Sequence, residues 1–149
     1  MEYDLVEPDE VLELSALSGR LARAIELAVQ QAKIPLQELV FAHGAVVYKG
    51  SRIFGWGHNE ERPIAHMTRN VKHFRALSDY TAHAEMMAIK DAKWFNTGST
   101  LVVVRWMRSN CLGNSAPCNM CMPKLMNHPC LTRMYYSMDA ERIGMKRLK

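Results

Sequence analysis

Two short fragments carry side chains suited to metal and proton chemistry. His83-Ala84-Glu85 sets an imidazole and a carboxylate two residues apart, and Pro117-Cys118-Asn119-Met120-Cys121 sets two thiols three apart. A C-x-x-C taken alone serves redox chemistry, binds zinc or arises by chance. With His83 added, Cys118 and Cys121 complete three soft or borderline ligands, the set zinc takes when its fourth position stays open to water. An open position belongs to catalytic zinc, because structural zinc is closed by a fourth residue. Glu85 is close enough to His83 in sequence to lean over such a metal without binding it. Zinc lowers the pKa of its water to about 7, and a carboxylate in reach takes that proton and returns it to a substrate atom. A structural zinc, or a pair of plain thiols, is the competing reading. Cys111 and Cys130 read as ordinary thiols, since a fourth protein ligand would exclude water.

Each fragment needs a rigid element to hold it, and the pattern around each predicts a helix that it opens. Thr81–Asn96 reads as a helix closed by Gly98. Pro117 suits the first turn of a second helix over about Cys118–Asn127, ended by Pro129. Helix N-termini present unpaired N–H groups and partial positive charge, which favours thiolate, the form that binds metal.

The other elements supply a sheet. Phe41–Tyr48 and Arg52–Gly57, joined at Lys49-Gly50-Ser51, read as a hairpin. Leu101–Val104 is a continuous apolar strand of the kind covered on both faces, and Arg133–Ser137 is another strand. Leu14, Leu17, Leu21, Ala24, Ile25, Ala28 and Val29 follow helical spacing, so a helix capped by Asp9 is expected over about 10–33. Trp106–Ala116 reads as a loop. Residues 58–80 read as an insertion, with a short helix around Asn70–Leu77. The expected fold is a single α/β domain over residues 1–149, with its core at about 40–137. It is a three-layer α/β/α sandwich with a mixed five-stranded sheet. A last strand at Arg142–Arg147 lies too close to Tyr136 for a parallel crossover, so it is expected to return as a C-terminal β-hairpin.

Composition agrees with one globular unit. The chain has 149 residues, 48% hydrophobic and 23% charged, which excludes disordered and fibrous classes. No apolar run approaches the ~18–20 residues of a membrane span, so no membrane partner is expected. The start, Met1-Glu2-Tyr3-Asp4, is acidic where a targeting peptide is basic, so a cytoplasmic location is expected. Six acidic residues precede Arg20, so the net charge of +4 leaves the remainder at +10. A basic body suits an anionic partner, or simply a well-solvated surface.

The order H-x-E then P-C-x-x-C is the signature of the zinc nucleobase deaminases. Over about Val40–Tyr136 the chain resembles the cytidine and deoxycytidylate deaminase superfamily, which also contains deaminases of tRNA adenosine and of polynucleotide cytosine. The resemblance implies a zinc-dependent hydrolase in which His83, Cys118 and Cys121 hold the metal and Glu85 is the general acid/base. It also implies that Asn59, ending the hairpin, contacts the sugar. The Ala84 N–H would meet the base carbonyl, and the Ala116 or Ser115 carbonyl would accept from the departing amine. Trp106, which begins the loop leading to the cysteines, is the candidate wall of the base pocket, ahead of Trp56, Tyr80 and Tyr135. Homo-oligomers are implied as well.

The resemblance divides over the substrate. His83 as first ligand and the 24-residue interval from Asn59 to His83 are similar to deoxycytidylate deaminases. Met120 is similar to tRNA adenosine deaminases, and a short tail with a terminal hairpin is closer to free-cytidine deaminases. The expected reaction is hydrolysis of cytosine to uracil and ammonia in a small pyrimidine nucleoside or nucleotide such as cytidine or dCMP. The alternatives are editing of cytosine or adenine in single-stranded DNA or RNA, and an inactive zinc-binding assembly module. A second metal on His66 and His73 would lack the cysteines such sites add.

Overall fold

The computed structural model describes residues 6–35, 42–59, 83–93, 95–117 and 121–149, the side chain of Cys121 excepted. The elements run β1 (Glu10–Glu13), a 3-10 turn (Leu14–Ala16), α1 (Gly19–Lys33), β2 (Ala42–Lys49), β3 (Arg52–His58) and α2 (Ala84–Ala92). They continue with β4 (Ser99–Trp106), β5 (Leu112–Gly113), α3 (Cys121–Asn127), β6 (Leu131–Ser137) and β7 (Arg142–Arg147). The sheet order is β1-β7-β6-β4-β2-β3, with β5 on the end of β4. Among the described strands only β4 and β6 pair in parallel, as the α3 crossover between them requires.

Strand alternation divides the core into two layers. Val46, Val102 and Val104 pack against Ala24, Ile25, Ala28 and Ala32 of α1. Ala45, Val47, Leu101 and Val103 pack on the other face with Ala84, Ala88 and Ala92 of α2 and Leu125 of α3. This is the α/β/α sandwich expected from the element order. Burying Leu101–Val104 on both faces explains why that strand reads as an unbroken apolar run.

Several boundaries differ from expectation. The N-terminal helix begins at Gly19, not Glu10. Gly19, its first residue, takes φ +63°, a left-handed conformation that turns the chain into the helix. Glu10–Glu13 instead forms β1, antiparallel to β7, and the Asp9 carboxylate accepts from the Arg147 N–H at 2.7 Å rather than capping a helix. The sheet therefore has seven strands among the described residues, β1 and β5 being the additions. β5 lies inside the segment expected to be a loop. The α2 helix ends at Ala92, where Lys93 takes φ +56° and donates back to the Ile89 and Lys90 carbonyls. The closing hairpin forms antiparallel, with Tyr136 opposite Gly144. The expected helix at Asn70–Leu77 and most of the 58–80 insertion lie outside the described residues.

Candidate active site

The α2 helix is set on the sheet by backbone contact. Gly55 and Gly57 of β3 face it, and a β-carbon on Gly57 would lie 2.6 Å from the Ala88 nitrogen and 2.7 Å from the Met87 Cβ. On Gly55 it would lie 2.5 Å from the Ala92 nitrogen. Small residues on both sides let the helix axis approach closely. Since Gly55 meets Ala92 and Gly57 meets Met87 and Ala88, the helix runs opposite to β3. Its N-terminus therefore lies toward the end of β3 that carries Asn59.

His83 holds the N-cap position with extended backbone, φ −81° and ψ 144°. The first helical bond runs from the Met87 N–H to the His83 carbonyl at 3.0 Å. The N–H groups of Ala84, Glu85 and Met86 thus fall outside the helical ladder. Glu85 is 6% exposed, and its Oε1 lies 3.4 Å from the His83 Nδ1. That separation makes the two neighbours, longer than the usual ~2.7–3.2 Å of a hydrogen bond. A buried carboxylate beside an imidazole at a helix start is a pairing suited to proton transfer.

Asn59 is buried at the end of β3, and its Oδ1 accepts from the His43 N–H at 2.8 Å. The His43 Nδ1 lies 3.0 Å from the Ser115 Oγ. Ser115 is buried too, and its N–H donates to the Ser137 carbonyl at 2.8 Å. The Ser137 hydroxyl donates to the Gly113 carbonyl at 2.7 Å and accepts from the Arg105 N–H at 3.0 Å. The Ala116 N–H donates to the Asn114 Oδ1 at 2.8 Å. The 113–116 segment is therefore pinned at several points just before the first cysteine of the C-x-x-C.

His83, Glu85, Ala84, Asn59 and Ala116 lie at one end of the sheet, where β3 and β4 finish and α2 begins. Cys121 opens α3 on the chain path leaving that end. Cys118 lies outside the described residues, and among the described residues no group of three metal-binding side chains stands complete. The donors that are described fit zinc in kind: an imidazole, with a buried carboxylate beside it.

Trp106 ends β4 at this end of the sheet but on its other face. It shares strand parity with Val102 and Val104, so it packs on the α1 face, with the Lys33 ammonium 5.0 Å from its ring centroid. Tyr135 packs on the α1 face as well. Trp56 lies on the side of β3 away from Gly55 and Gly57 and is 49% exposed. Tyr80 lies outside the described residues, as do His66 and His73. The pairing of His43 with Ser115 spans 72 positions, so nothing in chain proximity announces it; the parity of His43 with Ala45 and Val47 is the signal the sequence carries.

Among curated proteins no relative matches the chain. A family model does: the cytidine and deoxycytidylate deaminase zinc-binding region matches residues 19–138. That span includes α1, the hairpin ending in Asn59, the H-x-E helix start and the P-C-x-x-C, and with well over half of its length matched the chain belongs to the cytidine and deoxycytidylate deaminase family.

Proposed function

We propose that the protein hydrolyses the exocyclic amine of a cytosine base in a small pyrimidine nucleoside or nucleotide, releasing uracil and ammonia. The observation that carries this reading is the buried Glu85 carboxylate beside the His83 imidazole at the first turn of α2. A structural metal site has no use for such a carboxylate. His83, Cys118 and Cys121 would hold zinc, which supplies a water of lowered pKa, about 7. Glu85 then manages the protons. It takes one from the attacking water as oxygen adds to C4 and delivers it to the ring nitrogen N3; it then takes the second from the C4 hydroxyl and passes it to the amine, so that the C4–N bond breaks as the C4 carbonyl forms and ammonia leaves. The Ala84 N–H, outside the helical ladder, donates to the base carbonyl. Asn59 engages the sugar, and the Ala116 carbonyl accepts from the departing amine.

A single-stranded polynucleotide is the second reading. An open cavity of about 440 Å³ is lined by Trp56, His58, Lys90 and Lys93, with Asp91 also at its wall. A half-exposed tryptophan and two lysines around one opening are residue types that stack a base and neutralise phosphate. His58 adjoins Asn59, so this cavity lies next to the proposed sugar contact.

Ammonia release from cytidine, deoxycytidine, dCMP, dCTP, adenosine and single-stranded DNA and RNA tests both readings. Turnover of the small pyrimidines is expected, and turnover of polymers alone would replace the first reading with the second. Glu85→Ala is expected to lose activity by at least about 10²-fold while zinc stays near one per chain. Undiminished turnover in that variant would overturn the acid/base role. Metal-dependent folding with no ammonia from any substrate would point to an inactive zinc-binding module.

A further inference from the structure

We infer that His43 is a positioning residue for the deamination proposed above, an inference that rests on that reading. His43 bonds in two directions. Through its backbone it clamps Asn59: its N–H donates to the Asn59 Oδ1 at 2.8 Å, and its carbonyl accepts from the Asn59 N–H at 3.3 Å. Through its ring it meets the Ser115 hydroxyl at 3.0 Å. Asn59 ends the hairpin that would engage the sugar. Ser115 stands one residue before Ala116 and three before Cys118. One residue thus joins the sugar-binding arm to the arm that carries the amine acceptor and runs into the metal ligands.

The surroundings make this link rigid. His43 has the parity of Ala45 and Val47, which places it on the face covered by α2. Ser115 is buried, and its own N–H is fixed to Ser137, so the hydroxyl is presented from a held backbone. His43 also stands opposite Arg105 in the β2–β4 ladder, and Arg105 is in turn opposite Gly113. The ring therefore sits over the strand ends that meet the 113–116 segment. Without the ring-to-hydroxyl bond, the two arms keep their separate anchors but lose their mutual registration. A displacement near 1 Å between a substrate's two attachment points costs on the order of 10²-fold in rate.

The test compares His43→Asn, His43→Leu, Ser115→Ala and the Leu/Ala double variant as zinc-loaded full-length proteins with cytidine and dCMP. Asparagine places a hydrogen-bonding atom near the position of Nδ1, and leucine matches its size without that atom. His43→Asn is expected to stay within about threefold of wild type in kcat/KM, and His43→Leu to fall by about 10–100-fold through both kcat and KM. Zinc content is expected to stay near one per chain and the melting temperature to be little changed. Ser115→Ala is expected to match His43→Leu, and the double variant to lose no more than either, because both remove one bond. Should His43→Leu fail to fold, Ser115→Ala against wild type reads the same bond. Wild-type rates in His43→Leu or Ser115→Ala, or losses that multiply in the double variant, overturn the inference and leave the deaminase reading standing. A wild-type protein that turns over nothing overturns both.

Discussion

Gly57 and Ala88 touch through their backbones: a methyl group on Gly57 would stand 2.6 Å from the Ala88 nitrogen. The contact decides where α2 lies, and Ala88 is one turn along it from Ala84 and Glu85. The position of the Glu85 carboxylate over the sheet is therefore set in part by a glycine on a strand.

Gly57→Ala is expected to destabilise the protein by about 1–3 kcal/mol, since the helix must lift off the strand to admit the methyl group. Activity is expected to fall further than stability accounts for, because Glu85 and His83 move with the helix. Urea denaturation alongside steady-state rates on folded protein separates the two losses. A Gly57→Ala variant with wild-type stability and rate would show that α2 is not seated on this glycine.

Metal removal is expected to lower both activity and stability. A ligand bound only by the folded state, present at about 100 times its dissociation constant, adds about 2.7 kcal/mol. For a chain of this size that corresponds to a melting temperature roughly 5–10 °C lower after chelation, reversed by added zinc. Cys121→Ser is expected to melt near the chelated wild type and to respond little to zinc. A zinc response equal to wild type in that variant would remove Cys121 from the ligand set.

The layers were legible in the sequence because the apolar run in β4 marks a strand covered on both faces. The antiparallel return of β7 was legible too, since so few residues separate it from Tyr136 that geometry leaves one choice. β1 was not legible. Glu10–Glu13 is paired only with β7 and largely exposed, so it carries no alternation, while Leu14 and Leu17 extend the helical spacing of α1 backwards past Gly19. Chain proximity to the cysteines points Trp106 toward a pocket wall, whereas its strand parity with Val102 and Val104 sets it on the α1 face. Gly55 and Gly57 did carry a readable signal, because alternate glycines in a strand mark close backbone approach.

The terminal hairpin is expected to be an integral part of the core. Ile143 on β7 is fully buried in the α1 layer, and the Tyr136 hydroxyl beside that strand donates to the Val6 carbonyl at 3.1 Å. Ile143→Ala is expected to cost about 2–5 kcal/mol, the range for truncating a buried aliphatic side chain. Denaturant unfolding gives the value. A loss below about 0.5 kcal/mol, the scale of surface substitutions, would mean that the closing strands contribute little to the fold.

Protonation of His128 is expected to work against folding. Burial holds its pKa below the ordinary 6.5, and Lys149 nearby lowers it further. The ring stacks on Phe95 with centroids 4.8 Å apart, and its Nδ1 accepts from the Cys130 N–H at 3.2 Å, a bond that requires that nitrogen to be unprotonated. As pH falls through about 6.5 the unfolded chain takes up a proton before the folded one does. The stabilising contribution is therefore complete above 6.5 and is lost progressively as pH drops toward the depressed folded value. His128→Phe keeps an aromatic ring against Phe95 and removes the proton site. Stability measured between pH 7 and pH 5 is expected to decline less steeply in His128→Phe than in wild type. Equal slopes would show that His128 takes up its proton as readily folded as unfolded.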